Sequence, residues 1–294
     1  MSVLDTVLAL VLQTLRIAVP YLFAAAGGVL AERAGVISLT LEGFMLGGAF
    51  GAVVGEFYLG GAWIGVGVGI AFGLALAAIH AVSSLRFRAD QVIVGIAINL
   101  LIVGVTRFFL RLAFGSSSNS PRIAAFGETG GLLGSLASPL LWLGLVTIPV
   151  AAWLLYRTPF GLRVRAAGEH PDAAASVGVS VPRVRYAAVL ISGALASLGG
   201  VYLAFEQHQF SDQMTAGRGF IAVAAVIFGR WNPLLAGGAC LLFAAAETLE
   251  IQLQATTAVP SQFIGMIPYI LTIVALAGVV GRSVAPAALG KIPD

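Results

Sequence analysis

Few residues in this chain are equipped for bond-making chemistry. It holds thirteen Asp and Glu, three His and one Cys in 294 residues. His80, His170 and His208 lie far apart without metal-ligand spacing, and they read as structural or solvent-facing. Cys240 sits inside an apolar run, where a lone thiol behaves as a small buried hydrophobe. With no second cysteine there is no internal disulfide. The patterns H-E-x-x-H, G-x-S-x-G and the phosphate-cradling G-x-x-x-x-G-K-S/T are absent. Hydrolysis within the membrane and ATP binding are therefore not expected of this chain, and neither is a metal or other cofactor. What remains is recognition chemistry. Glu42, Asn99, Glu247 and Glu250 stand within long apolar segments, where each must be answered by protein, water, a helix N-terminus or a passing solute.

The surroundings of these groups sharpen the reading. In ERAGVISLTLEG, residues 32–43, Glu32 and Arg33 interrupt an apolar run and Gly35 breaks the helix. Ser38 is placed to cap a new helix, which sets Glu42 near its first turn. Glu42 is then either a structural carboxylate at a helix end or a residue of a solute pathway. In RADQVIVGIAIN, residues 88–99, Asp90 and Gln91 suit a helix start. Asn99 follows about two turns deeper, where its amide can bridge helices or meet a polar solute. Arg107 and Arg111 share a face further along and are expected to snorkel to the interface. In FSDQMTAGRGFIAVAAVIFGRWNP, residues 210–233, Gly217, Gly219 and Gly229 bracket an apolar run too short to cross a membrane. Interrupted segments of this kind are tolerated at membrane depth only beside protein or water. Arg218 reads as a loop charge at the outer mouth, Glu247 and Glu250 as interface carboxylates, and Tyr202, Phe205 and Trp231 as members of interfacial aromatic belts.

The elements that position these residues follow from composition. Residues are 59% hydrophobic and 10% charged, against about 25% charged in soluble domains. The apolar runs are long and continuous, so an all-α polytopic membrane protein is expected and a β-barrel is not. Candidate spans are 6–30, 37–56, 61–84, 91–113, 139–156, 186–205, 219–229, 233–251 and 263–281. That predicts about 8–10 transmembrane helices with interrupted half-helices, in a single domain over 1–294. The first run lacks a basic flank and a small-residue cleavage site, so no cleavable signal peptide is expected. The net charge of +3 reads as membrane orientation, and no nucleic-acid partner is expected.

The longest polar interruption is RTPFGLRVRAAGEHPDAAASVGVSVPRVR, residues 157–185, with five of the sixteen Lys and Arg. Short basic loops stay cytoplasmic. Fixing this loop inside puts Arg86, Arg88, Arg230, Arg282 and Lys291 inside with it. Residues 115–138 and 206–218 then fall outside, as does Met1. Within the loop, Pro171 suits a first helical position. Asp172 complements a helix dipole, Ala173, Ala174 and Ala175 are strong helix formers, and Gly178 can close a helix. A helix over Pro171–Val177 is too short to be stable alone and asks for a partner surface.

Four blocks, in order, resemble permease subunits of ATP-driven importers in the branched-chain amino acid, simple-sugar and nucleoside group. RAAGEHPDAAASVG carries that family's coupling pattern at Arg165, Ala166, Gly168, Glu169, Pro171, Ala173, Ala174 and Gly178. The stretches 32–43, 88–99 and 217–229 are similar to its other blocks, and the last is most typical of nucleoside-type permeases. The resemblance spans about residues 15–280. It implies a type II-like permease of a bacterial inner membrane whose 157–185 loop docks into cytoplasmic ATPase subunits. It also implies a second permease subunit, with a heterodimer favoured over a homodimer, and an extracytoplasmic binding protein that delivers a small polar solute. Nucleosides are favoured over simple sugars, riboflavin and branched-chain amino acids. The expected coupling residues are Arg165, Gly168, Glu169, Pro171, Ala173, Ala174 and Gly178. Expected pathway residues are Glu42, Phe44, Asn99, Gly217 and Phe220, with Asn99 and phenylalanines such as Phe44 offering an amide and a stacking face. The competing reading is a transporter driven by an ion gradient, with Glu42 or Glu247 as its buried ion site.

Overall fold

A computed structural model describes residues 3–126, 138–256 and 284–291. Ten α-helices make up the described chain: α1 (Val3–Arg33), α2 (Leu41–Leu59), α3 (Ala62–Ala81), α4 (Gln91–Phe114), α5 (Pro139–Arg157), α6 (Pro159–Glu169), α7 (Pro171–Ser176), α8 (Val181–Glu206), α9 (Arg218–Phe228) and α10 (Pro233–Thr256). A π-helical turn over Val82–Arg86 continues α3. Six of these are long and apolar enough to cross a membrane: α1 from Val7, α3 with its π turn, α4, α5, α8 and α10. The expected span at 263–281 lies outside the described residues.

The bundle is built around α2 and α8. Fourteen of the nineteen residues of α2 are buried, so it is an interior helix, packed mainly against α3 and α8. Small residues make the close approach possible. A Cβ on Gly48 would strike the Ser197 backbone, one on Gly69 the Gly48 carbonyl, and one on Gly200 the Met45 carbonyl. Helices α1 and α8 run antiparallel. Arg185 at the start of α8 bonds Ala34 just past α1, while Glu206 at its end pairs with Arg16.

The two ends of the bundle differ. At one end, residues 116–126 and 207–217 lace together: the Phe210 N–H donates to Ser120 Oγ at 2.8 Å and the Ser120 N–H to the Phe210 carbonyl at 2.9 Å. Arg107 reaches across to Asp212 at 2.7 Å, so it is paired where snorkelling was expected. Glu56 accepts from the Ala125 N–H at 2.6 Å. The other end carries α6, α7 and the 284–291 tail. Residues 157–185 are more ordered than a loop with one helical turn. Thr158 caps α6 by accepting from the Gly161 N–H at 3.1 Å, with Pro159 at the first helical position. Two helices, α6 and α7, therefore fill most of the segment.

With eleven residues, α9 is about 16 Å long, half of the roughly 30 Å hydrocarbon core. It hangs from Gly217, whose φ of +84° suits a residue without Cβ. Its other end is tied to the end of α1, where Arg33 donates to the carbonyls of Arg230 and Trp231.

Candidate functional site

Two helix N-termini meet inside the bundle, and each is closed by a side chain from elsewhere in the chain. The first turn of α9 leaves backbone N–H groups without helical partners. Glu42 takes them: Oε1 accepts from the Gly217 N–H at 2.9 Å and from Thr215 Oγ1 at 2.6 Å, and Oε2 accepts from the Gly219 N–H at 2.7 Å. A negative charge here also meets the positive end of the α9 dipole. The approach is so close that a Cβ on Gly219 would overlap the Glu42 backbone. The N-terminus of α2 is served from α4, where Asn99 Oδ1 accepts from the Gly43 N–H at 2.8 Å and Nδ2 donates to the Leu39 carbonyl at 2.9 Å. Ser38 does not cap α2. Its hydroxyl donates to Glu32 Oε1 at 2.8 Å, and Thr40, the residue at the cap position, bonds His80 Nδ1 at 2.8 Å.

A cavity of about 310 Å³ lies beside these two junctions, lined by Glu42, Asn99, Leu100, Thr215, Gly217 and Phe220 among others. Four of the five residues singled out from sequence as a pathway therefore border one space. Phe44 is not among the lining residues. It is 2% exposed and meets His80 edge-on, with ring centroids 6.4 Å apart. Phe220 presents the aromatic face instead, and it is 47% exposed. The cavity thus offers a carboxylate, an amide, a hydroxyl and an aromatic ring.

A second polar cluster lies on the far side of the α9 N-terminus. Arg218 donates to Glu247 Oε1 at 2.7 Å, and Tyr21 donates to Oε2 of the same carboxylate. Arg218 is therefore an internal ion-pair partner and Glu247 a bundle carboxylate, where a solvated loop charge and an interface group were expected. The aromatic-belt reading fails as well: Tyr202, Phe205 and Trp231 are all buried, drawn inward by the packing of α8 and by a polar bond from Trp231.

That bond belongs to the end of the bundle that carries α6 and α7. Trp231 Nε1 donates to Glu32 Oε2 at 2.5 Å. Arg33 Nε donates to the Trp231 carbonyl at 2.8 Å, and Nη1 of the same residue pairs with Glu169 Oε1 at 3.4 Å. Glu169 ends α6. Gly168 beside it packs on the Arg33 carbonyl, which a Cβ would overlap, and Arg165 lies over the Tyr156 ring at 5.4 Å. Pro171 opens α7, in which Ala174 is buried while Asp172, Ala173 and Ser176 are exposed. The helix closes in a Schellman motif, with the Val179 N–H donating to the Ala174 carbonyl and the Gly178 N–H to the Ala175 carbonyl. Gly178 has φ +85°, and Val177 just before it is 78% exposed.

Sequence reasoning missed the interior role of Arg185. It is 1% exposed, and its guanidinium serves the carbonyls of Ala34, Ala167 and Lys291. The sequence offers no separate signal, because Arg185 closes the arginine-rich 157–185 stretch and fits a topology charge like its neighbours.

Comparison with known proteins places this arrangement. The family model described as "Branched-chain amino acid transport system / permease component" matches residues 10–276. The guanosine ABC transporter permease protein NupQ of Bacillus subtilis is 38% identical, over 99% of this chain and 98% of its own length. The nucleoside ABC transporter permease protein NupC of Lactococcus lactis is 34% identical over the same shares of the two chains. A solved structure titled as an inward-facing conformation of a putative metal-chelate type ABC transporter shares the fold, with TM-score 0.55 at 16% identity over 92% of this chain and 85% of that one. The broken helices, the interior half-helix and the helical insert of α6 and α7 are thus the parts of a multi-pass membrane permease, and the chain belongs to the branched-chain amino acid transport system permease component family.

Proposed function

We propose that this chain is the membrane-spanning permease of an ATP-driven importer and that its solute is a nucleoside. In this reading α6 and α7 form the coupling module, with the exposed side of α7 seated in a cytoplasmic ATPase subunit. A second permease completes the pathway, and an extracytoplasmic binding protein loads it. The resemblance of the chain to short permeases that pair with longer paralogues favours a heterodimer. Arg165, Gly168, Glu169, Pro171, Ala173, Ala174 and Gly178 are assigned to coupling. Glu42, Asn99, Gly217 and Phe220 are assigned to the pathway, and Phe44 acts only from behind, in the packing of α2.

The observation that carries the reading is one continuous set of bonds from the insert to the cavity. Glu169 pairs with Arg33, Arg33 holds the Trp231 carbonyl below α9, and the opposite end of α9 is held by Glu42 at the cavity wall. A push on α6–α7 thus acts on the element that walls the cavity, which is what a nucleotide-biased two-state bundle needs. The lining suits a nucleoside: Phe220 offers a stacking face, and Glu42, Asn99 and Thr215 offer hydrogen-bonding groups for base and sugar. The names of the full-length relatives point the same way. Both acidic candidates for an ion-driven mechanism are engaged. Glu42 accepts three hydrogen bonds, and Glu247 is shared by Arg218 and Tyr21.

The test is uptake of labelled guanosine into proteoliposomes holding the complete complex and binding protein. Accumulation is expected with ATP on the α7 side, no accumulation with a proton gradient alone, and competition by unlabelled nucleosides but not by free ribose or leucine. Uptake driven by the gradient without ATP removes the importer assignment. Equal competition by ribose or leucine removes the nucleoside assignment.

A further inference from the structure

The cytoplasmic end of the bundle is tied together by a residue to which the resemblance assigns no role. Arg185, one turn into α8, is 1% exposed, yet all three of its hydrogen bonds go to main-chain carbonyls from three separate segments. Nε donates to Ala34 at 3.0 Å, Nη1 to Lys291 at 2.7 Å and Nη2 to Ala167 at 3.4 Å. Ala34 follows α1 and Ala167 lies in the last turn of α6. Both carbonyls belong to helix C-termini, which lack helical donors and carry negative partial charge. A guanidinium has enough donors to serve several carbonyls at once and stays charged when buried.

The surroundings are shaped to admit it. Gly35 has φ +93°, and a Cβ there would come within 2.8 Å of Arg185 Nη2 and 3.0 Å of the Ala288 carbonyl. The tail lies across the same spot. The Ala288 N–H donates to the Gly168 carbonyl at 2.9 Å and the Gly290 N–H to the Gly35 carbonyl at 3.1 Å. The Ala287 N–H donates to Glu169 Oε2 at 3.3 Å. Residues 284–291 therefore form a strap whose bonds fall on the broken segment after α1 and on the end of α6.

We propose that Arg185, with the 284–291 strap, is the positioning device that makes α6–α7 and the broken segment after α1 move as one body, so that displacement of α7 reaches the cavity. This rests on the coupling role proposed above. Arg185 touches neither solute nor nucleotide. It acts by fixing the carbonyl ends of two helices and one strap to a single planar cation. Arg33 and Glu169 form the outer rim of the same joint, and Arg185 is its buried pivot.

The test uses the complete complex in proteoliposomes, with guanosine uptake and ATP hydrolysis measured on the same preparation and normalised to assembled complex. Three variants are compared with the parent: Arg185→Lys, Arg185→Met and a chain ending at Ser283. Lysine keeps the charge but not the planar fork. Guanosine moved per ATP is expected to fall about tenfold in the methionine variant, a typical size for a coupling change, and less in the lysine variant. The truncated chain should resemble the methionine variant, with hydrolysis continuing in all three. Unchanged solute per ATP in both the methionine variant and the truncated chain overturns the proposal. So does loss of assembled complex without change in the ratio, or failure of all three to assemble, since either outcome makes the joint structural only. A parent complex without ATP-driven uptake counts against the importer reading instead, so the two failures are told apart.

Discussion

At the residue scale, Glu42 and Asn99 do the same job by different means: each satisfies the open N-terminus of a helix to which it does not belong. Their removal should not be equally costly. Asn99→Leu leaves the Gly43 N–H and the Leu39 carbonyl unpaired, at about 1–3 kcal/mol for a buried group that loses its partner. Glu42 supplies a charge-assisted acceptor to three donors, and such bonds contribute about 1.5–3 kcal/mol each. Glu42→Gln also turns a donor toward one of those N–H groups. It should lower the Tm of the detergent-solubilised complex more than Asn99→Leu does, and should abolish uptake. A larger loss for Asn99→Leu would contradict the view that the α9 N-terminus is held chiefly by charge. Phe220→Leu keeps the apolar volume and removes the ring. It is expected to raise the KM for guanosine severalfold at nearly unchanged kcat, because base–aromatic stacking is worth about 1–3 kcal/mol. An unchanged KM would show that the ring does not touch the solute.

At the element scale, α7 is six residues long, well below the roughly 12–15 needed for an isolated helix to hold in water. Its described supports are the Schellman closure, the burial of Ala174 and its attachment to α6. The amides of residues 173–176 should therefore exchange rapidly in the isolated permease and slow markedly once the ATPase is bound. Equal exchange in both states would mean that nothing seats on α7. Gly168→Ala should uncouple transport while membrane insertion persists, because the added methyl meets the Arg33 carbonyl; normal uptake by this variant would remove Gly168 from the joint. Several element boundaries were legible from a local device: Asp90 caps α4 by accepting from the Val92 and Ile93 N–H groups, Gly35 ends α1, and Gly178 closes α7. Helix α6 was obscured because its cap, Thr158-Pro159, lies within an arginine-rich stretch that composition marks as polar loop.

At the scale of the whole molecule, what stayed hidden in the sequence is what depends on distant partners. Arg185 and Ala34 are 151 positions apart, and Trp231 and Glu32 are 199. No local pattern announces that such residues will meet, so Arg185 passed for a topology charge and Trp231 for a belt residue. The same limit put Phe44 among the expected pathway residues beside Phe220, although only Phe220 lines the cavity. Both lie near polar groups in the sequence, and only the packing of α2 against its neighbours turns Phe44 into the core. The Arg185–Ala34 bond at one end of the bundle and the Arg16–Glu206 pair toward the other put the end of α1 on the same side as α6–α7 and its beginning on the opposite side; the distribution of basic residues leads us to expect the α6–α7 side to be cytoplasmic.

The central claim is that the exposed face of α7 is seated in a nucleotide-hydrolysing subunit. The most direct test places a photoactivatable maleimide on Val177→Cys in a chain that also carries Cys240→Ser, within a complex still active in uptake. The account predicts that the label is reached only from the cytoplasmic side and that illumination joins it to the ATPase subunit. A label reached only from outside, or one that joins no ATPase in a complex that still imports, would contradict it.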